Sequence, residues 1–121
     1  MKSVLALLAF SALFSAAVYV AVPAESEVCE SGVCVVEFNA SFNAANSVEW
    51  IEDLSDCTTS RVDIASSPEL QQEYKIVVVP TIIIFNDGEE VERFQANIMM
   101  AIEASKSDVQ ESVDEILMSS F

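Results

Sequence analysis

A proline stands between Val79 and Thr81, at the head of the run of β-formers Thr81–Phe85. Asn86-Asp87-Gly88 follows directly, a strong hairpin turn, because such residues accept the left-handed backbone of a two-residue loop. Glu90–Phe94 then alternates in polarity and predicts the return strand. The other elements are placed around this antiparallel pair.

Upstream, Val33–Asn39 (VCVVEFN) is a short β-branched apolar run, long enough for one buried strand. From Asn43 to Leu54 the period changes. Ala44, Ser47, Val48, Trp50, Ile51 and Leu54 share one arc at helical spacing, with Glu49, Glu52 and Asp53 opposite, which predicts an amphipathic helix. Asn43 is a favoured residue to cap its start. Thr58–Ile64 predicts a second strand. Ser67-Pro68-Glu69 opens a short helix, and Ser107-Asp108-Val109-Gln110 reads as a capping box for a last helix through Met118. The order is β-α-β-α-β-β-α, a parallel pair joined by a crossover and then an antiparallel hairpin.

Residues 1–24 read differently. Lys2 precedes the apolar run Val4–Val22, and Pro23-Ala24 precedes the first acid, the layout of a secretory signal peptide. The run is also close to the ~20 residues that span a bilayer, so an uncleaved anchor is the other reading. Either one places a single domain, 25–121, outside the cytosol, periplasmic or secreted. The chain holds 20 acids, 5 Lys plus Arg and no His, for a net charge of −15. That charge repels phosphate backbones and excludes nucleic acid as a partner. Without His there is no Cys-His or Ser-His pair and no His-ligated zinc, and no loop has calcium-ligand spacing. No metal or cofactor is implied.

The element order around Val79-Pro80-Thr81-Ile82-Ile83-Ile84-Phe85-Asn86-Asp87-Gly88 resembles the thioredoxin superfamily, from about Val33 to Phe121. The resemblance implies a thioredoxin-like α/β fold, a central mixed sheet flanked by helices. It also implies a cis Val79-Pro80 bond, an isomer found in about 5% of X–Pro bonds. The family places Trp-Cys-x-x-Cys after its central strand, the first Cys at a helix N-terminus that stabilises its thiolate. The matching run here is Phe42-Asn43-Ala44-Ala45-Asn46, with carboxamides at both cysteine positions. Glu37 matches the family's buried acid and Arg61 a basic residue on the neighbouring strand, and the two are expected to neutralise each other.

The resemblance further implies a peptide-binding groove beside the cis-proline, lined by Phe42, Asn43, Val78, Val79, Pro80, Gln95 and Ala96. The segment 97–104 (NIMMAIEA) either extends this surface or folds onto the core. The three cysteines are read separately. Cys29 and Cys34 (CESGVC) lie just before and within the first strand and are placed to form a short disulfide. Alternation turns Cys34 and Cys57 to opposite faces, leaving Cys57 a lone, partly buried thiol. The function expected on these grounds is an exported, redox-inactive module that binds a protein or extended peptide, as a monomer or an accessory subunit. The alternative is an atypical thiol-disulfide oxidoreductase using Cys29 and Cys34. Against it stand the acidic neighbours Glu27 and Glu30 and the lack of a helix N-terminus beside the pair.

Overall fold

The computed structural model describes residues 28–120, so the predicted leader or anchor, 1–24, lies outside the described residues. Four strands form one sheet: β1 (Val33–Asn39), β2 (Thr58–Asp63), β3 (Thr81–Asn86) and β4 (Glu89–Gln95). Their spatial order is β2-β1-β3-β4, with β1 parallel to β2, β3 antiparallel to β1, and β4 antiparallel to β3. Two α-helices accompany them, α1 (Pro68–Glu73) and α2 (Lys106–Ser119). This is the thioredoxin-like α/β architecture, a mixed sheet flanked by helices. Among the described residues no helix is long and apolar enough to cross a membrane.

Strand alternation sorts the apolar residues into two layers. Cys34, Val36, Phe38, Ile83 and Phe85 pack on one face with Leu70 of α1 and with Ile76 and Val79. Val33, Val35, Ile82 and Ile84 pack on the other with Val109, Val113 and Ile116 of α2 and with Val48, Ile51 and Leu54. The two central strands are covered on both faces, which is why Val33–Val36 and Ile82–Phe85 run apolar without alternation.

Two local expectations are corrected. The helix expected over 43–54 is instead a pair of 3-10 turns, Ser41–Asn46 and Ile51–Asp53, separated by the non-helical residues 47–50. The apolar arc still turns inward, with Val48, Ile51 and Leu54 buried. The ladder breaks because Val48 gives both backbone groups to side chains. Its N–H donates to Glu37 Oε2 at 2.8 Å and its carbonyl accepts from Arg61 Nη2 at 2.9 Å. Asn43 caps nothing: Ala40 holds the N-cap position, and Asn43 is buried within the turn at φ −115°, ψ 24°. The second correction concerns α2, whose capping box is built on Ser105 rather than Ser107. Ser105 Oγ accepts from Asp108 N, and Asp108 Oδ2 accepts from Ser105 N. Gln110 instead pairs with both backbone groups of Ser55.

Candidate functional site

Two chemically distinct places lie at opposite ends of β1, which at ~3.3 Å per residue is about 20 Å long. At its start, Cys29 and Cys34 are joined as a disulfide with Cα atoms 6.0 Å apart. Both cysteines are buried in the core layer shared with Val36 and Phe85, while the Glu30–Gly32 bridge between them is exposed. The β3–β4 turn lies against this bridge. Asp87 and Gly88 have φ of 53° and 87°, both left-handed, as a two-residue primed hairpin turn requires. Asp87 N donates to the Gly32 carbonyl at 2.9 Å, and Gly32 N donates to Asp87 Oδ1 at 2.8 Å.

At the other end of β1 the Val79-Pro80 bond is cis. Phe42, Val78 and Val79 line an apolar groove of about 470 Å³ with Ile76, Val77, Ile98 and Met100. Asn43, Pro80, Gln95 and Ala96, the other residues assigned to this groove from the sequence, do not line it. The Ala96 amide is spent on the Pro80 carbonyl at 3.1 Å, and Gln95 pairs across the ladder with Thr81. Carbonyls before the proline are also occupied: Thr81 Oγ1 donates to Val78 O at 2.7 Å, and Asn43 Nδ2 reaches Val79 O at 3.4 Å. Asn43 Nδ2 further donates to Met100 O and Asn39 Oδ1, while Asn46 Nδ2 donates to Asn43 Oδ1. This carboxamide network ties β1, the proline loop and the 97–104 segment together. That segment divides its apolar residues: Ile98 and Met99 are exposed, whereas Met100 packs on one core layer and Ile102 on the other.

Glu37 and Arg61 are register partners on β1 and β2, and Arg61 Nη1 donates to Glu37 Oε1. The carboxylate is fully buried, its two oxygens engaged by Arg61 and Val48. Cys57 is a free thiol packed against the α2 layer, on the face opposite Cys34. Burial, and after it the nearby carboxylates of Asp56 and Asp114, push its pKa up, which disfavours a reactive thiolate there. Among the described residues no cluster of His, Cys, Asp or Glu is arranged to hold a metal ion.

A family model described as thioredoxin matches residues 24–106, more than half of the chain. The chain belongs to the thioredoxin family. Among curated thioredoxins, that of Chlamydia trachomatis is 46% identical over 41 residues, which cover 34% of this chain and 40% of the relative. A Mycobacterium tuberculosis thioredoxin is 36% identical over 42 residues, covering 35% of this chain and 36% of the relative. The chain thus spans well under half the length of the curated thioredoxins it matches. Solved structures extend the likeness in fold. A mutant thioredoxin from Halobacterium salinarum superposes with a TM-score of 0.58 at 20% identity, over 74% of this chain and 79% of that one. Fasciola hepatica thioredoxin gives 0.52 at 24% identity, over 71% and 82%.

Thioredoxin homology and the Cys29–Cys34 disulfide together overturn the expectation of a redox-inactive binding module. The carboxamides at Asn43 and Asn46 do not exclude a disulfide-forming pair at the other end of β1. The alternative, an oxidoreductase using Cys29 and Cys34 at the head of β1, fits these findings better. The clasp between Asp87 and Gly32 went unseen. Its only trace in the sequence is that Gly32 and Asp87-Gly88 are both turn residues flanking strands that pair.

Proposed function

We propose that this chain is a thiol-disulfide oxidoreductase whose working pair is Cys29 and Cys34. The observation that carries the reading is the disulfide between them, formed in a domain of the thioredoxin family. The carboxamides of Asn43 and Asn46 stand where the family resemblance puts its cysteines, and in this reading they transfer no electrons. The chemistry is moved to the far end of the same strand.

The step is ordinary exchange. A substrate thiolate attacks one sulfur of the pair, the S–S bond breaks, and the other cysteine leaves as a thiolate that takes up a proton. A second substrate thiolate then attacks the mixed disulfide. Substrate departs oxidised, and Cys29 and Cys34 are left as two thiols carrying its two electrons. Run in reverse, the dithiol reduces a substrate disulfide. Both sulfurs are buried, so attack requires the exposed Glu30–Gly32 bridge to lift. The substrates suited to this chemistry are protein or peptide thiols and disulfides. The Lys2-led apolar leader supports a site of action outside the cytosol, where disulfides persist.

Catalysed reduction of insulin by dithiothreitol tests the proposal. Wild-type protein is expected to accelerate precipitation of the insulin chains, and Cys29→Ser and Cys34→Ser to return the rate to background. An acceleration that survives both substitutions, or none in the wild type, rejects it.

A further inference from the structure

The bridge between the two cysteines is held by a side chain outside it. Asp87 N donates to Gly32 O, which carries the β1–β3 ladder one step beyond its last register pair, Val33 with Asn86. In a full antiparallel pair Gly32 N would donate in turn to a backbone carbonyl of its partner. The Asp87 carboxylate fills that role, accepting from Gly32 N at 2.8 Å. Gly32 sits at φ +70°, a left-handed conformation that glycine adopts without cost and that directs its N–H toward the turn. A Cβ on Gly88 would stand 3.6 Å from the Cys29 carbonyl oxygen, so the same turn also backs onto the first cysteine.

Each cysteine is thus fixed from a different direction. Cys34 is held within β1 between Thr58 and Phe85. Cys29 lies outside any strand and is held by the S–S bond, by its burial with Val28 in the core layer, and by Gly88 of the turn beside its carbonyl. Once the bond is reduced, the turn remains. We infer that Asp87 is a positioning residue for the Cys29–Cys34 pair, its grip on Gly32 keeping the two sulfurs close and stabilising the disulfide against reduction. This rests on the reading of that pair as the redox centre and adds what tunes it. By linkage the effect is reciprocal: whatever the clasp adds to the disulfide, the disulfide adds to the clasp.

The balanced reaction is the disulfide plus two glutathione thiols giving two protein thiols plus oxidised glutathione. The full chain is equilibrated in glutathione buffers of graded ratio and its thiols are counted after acid quenching. Asp87→Gly keeps the positive φ and deletes the acceptor, whereas Asp87→Asn keeps both. D87G is expected to become easier to reduce, by up to about tenfold in the equilibrium constant, the ceiling set by one whole hydrogen bond. D87N is expected to stay within about twofold. A D87G constant equal to wild type overturns the inference, as does a D87N constant that falls with D87G. A second readout needs no variant. The Gly32 amide is expected to exchange with solvent more slowly in the disulfide form than in the reduced form, and equal protection overturns the inference. Failure of insulin turnover would remove the oxidoreductase reading while leaving both readouts measurable, so the two failures are told apart.

Discussion

Glu37 on β1 and Arg61 on β2 stand opposite one another in parallel register, and between them they hold both backbone groups of Val48. The Glu37 side chain is buried and the Arg61 side chain is 38% exposed. One ion pair therefore neutralises a buried charge and also stops the helix that the apolar pattern of 43–54 calls for. Arg61→Met is expected to destabilise the protein by about 3 kcal/mol, the low end for breaking a buried pair, since Arg61 is partly solvated. The double variant with Glu37→Met is expected to be more stable than R61M alone, because no unpaired charge remains. Urea unfolding at neutral pH measures both, and a double variant no better than R61M contradicts the argument.

Asn43 makes its contacts chiefly as a donor, toward the carbonyls of Val79 and Met100 and toward Asn39. Asn43→Ala is expected to cost about 1–3 kcal/mol through the acceptors left unpaired. Asn43→Asp is expected to cost more at neutral pH, since a carboxylate would face those carbonyl oxygens, and less in acid once it is protonated. Thermal melts of the two variants at pH 7 and pH 4 decide it, and N43D matching N43A at pH 7 counts against the network.

Among the described residues, the carboxyls of Glu90 and Asp108 have pKa values below the ordinary ones. Glu90 is lowered mainly by its hydrogen bonds from Arg93, and Asp108 mainly by the Ser105 backbone N–H. A depressed folded-state value means the stabilisation is fully present above the ordinary value, 4.5 for Glu90 and 3.8 for Asp108. It is then lost as pH falls through the lowered one. The melting-temperature gap between wild type and Asp108→Ala is expected to be constant from pH 7 to about pH 5 and to close below about pH 4. A gap that widens in acid reverses the predicted sign.

Cys57 is expected to alkylate slowly in the native disulfide form, because burial and the Asp56 and Asp114 carboxylates disfavour its thiolate. Asp114→Asn is expected to speed iodoacetamide modification at pH 8, and full unfolding to speed it more. A native rate equal to the unfolded rate contradicts the assignment.

A net charge of −15 on 121 residues produces self-repulsion that salt screens. The melting temperature is expected to rise between low and molar salt, read by calorimetry. A flat or falling curve counts against charge repulsion as a significant term.

Much of this fold was legible from periodicity. β3 and its turn were visible because Thr81–Phe85 is continuous and Asp87-Gly88 accepts positive φ. α2 was visible through its apolar face, although its cap lies two residues earlier than expected, because Ser105 and Ser107 both precede acceptor residues at a plausible spacing. The 43–54 turns were not legible, since a helical pattern carries no sign that distant Glu37 and Arg61 claim the Val48 amide and carbonyl. The candidate site was obscured for a similar reason. Cys29 and Cys34 were visible as a pair, but a motif expectation directed attention to Asn43. The Gly32–Asp87 clasp joins residues 55 positions apart that come together only through the β1–β3 pairing.

The most direct test follows electrons into the pair itself. The disulfide form is mixed with a reduced dithiol peptide, quenched by alkylation at intervals, and mapped by mass spectrometry. Cys29 and Cys34 are expected to gain alkyl groups together, one pair per peptide disulfide formed, and the lone thiol of Cys34→Ser or Cys29→Ser to be trapped as a mixed disulfide when mixed instead with the oxidised peptide, whose second sulfur leaves as a thiol. Peptide oxidation with Cys29 and Cys34 still bonded, or a disulfide that stays inert to the peptide, would contradict it.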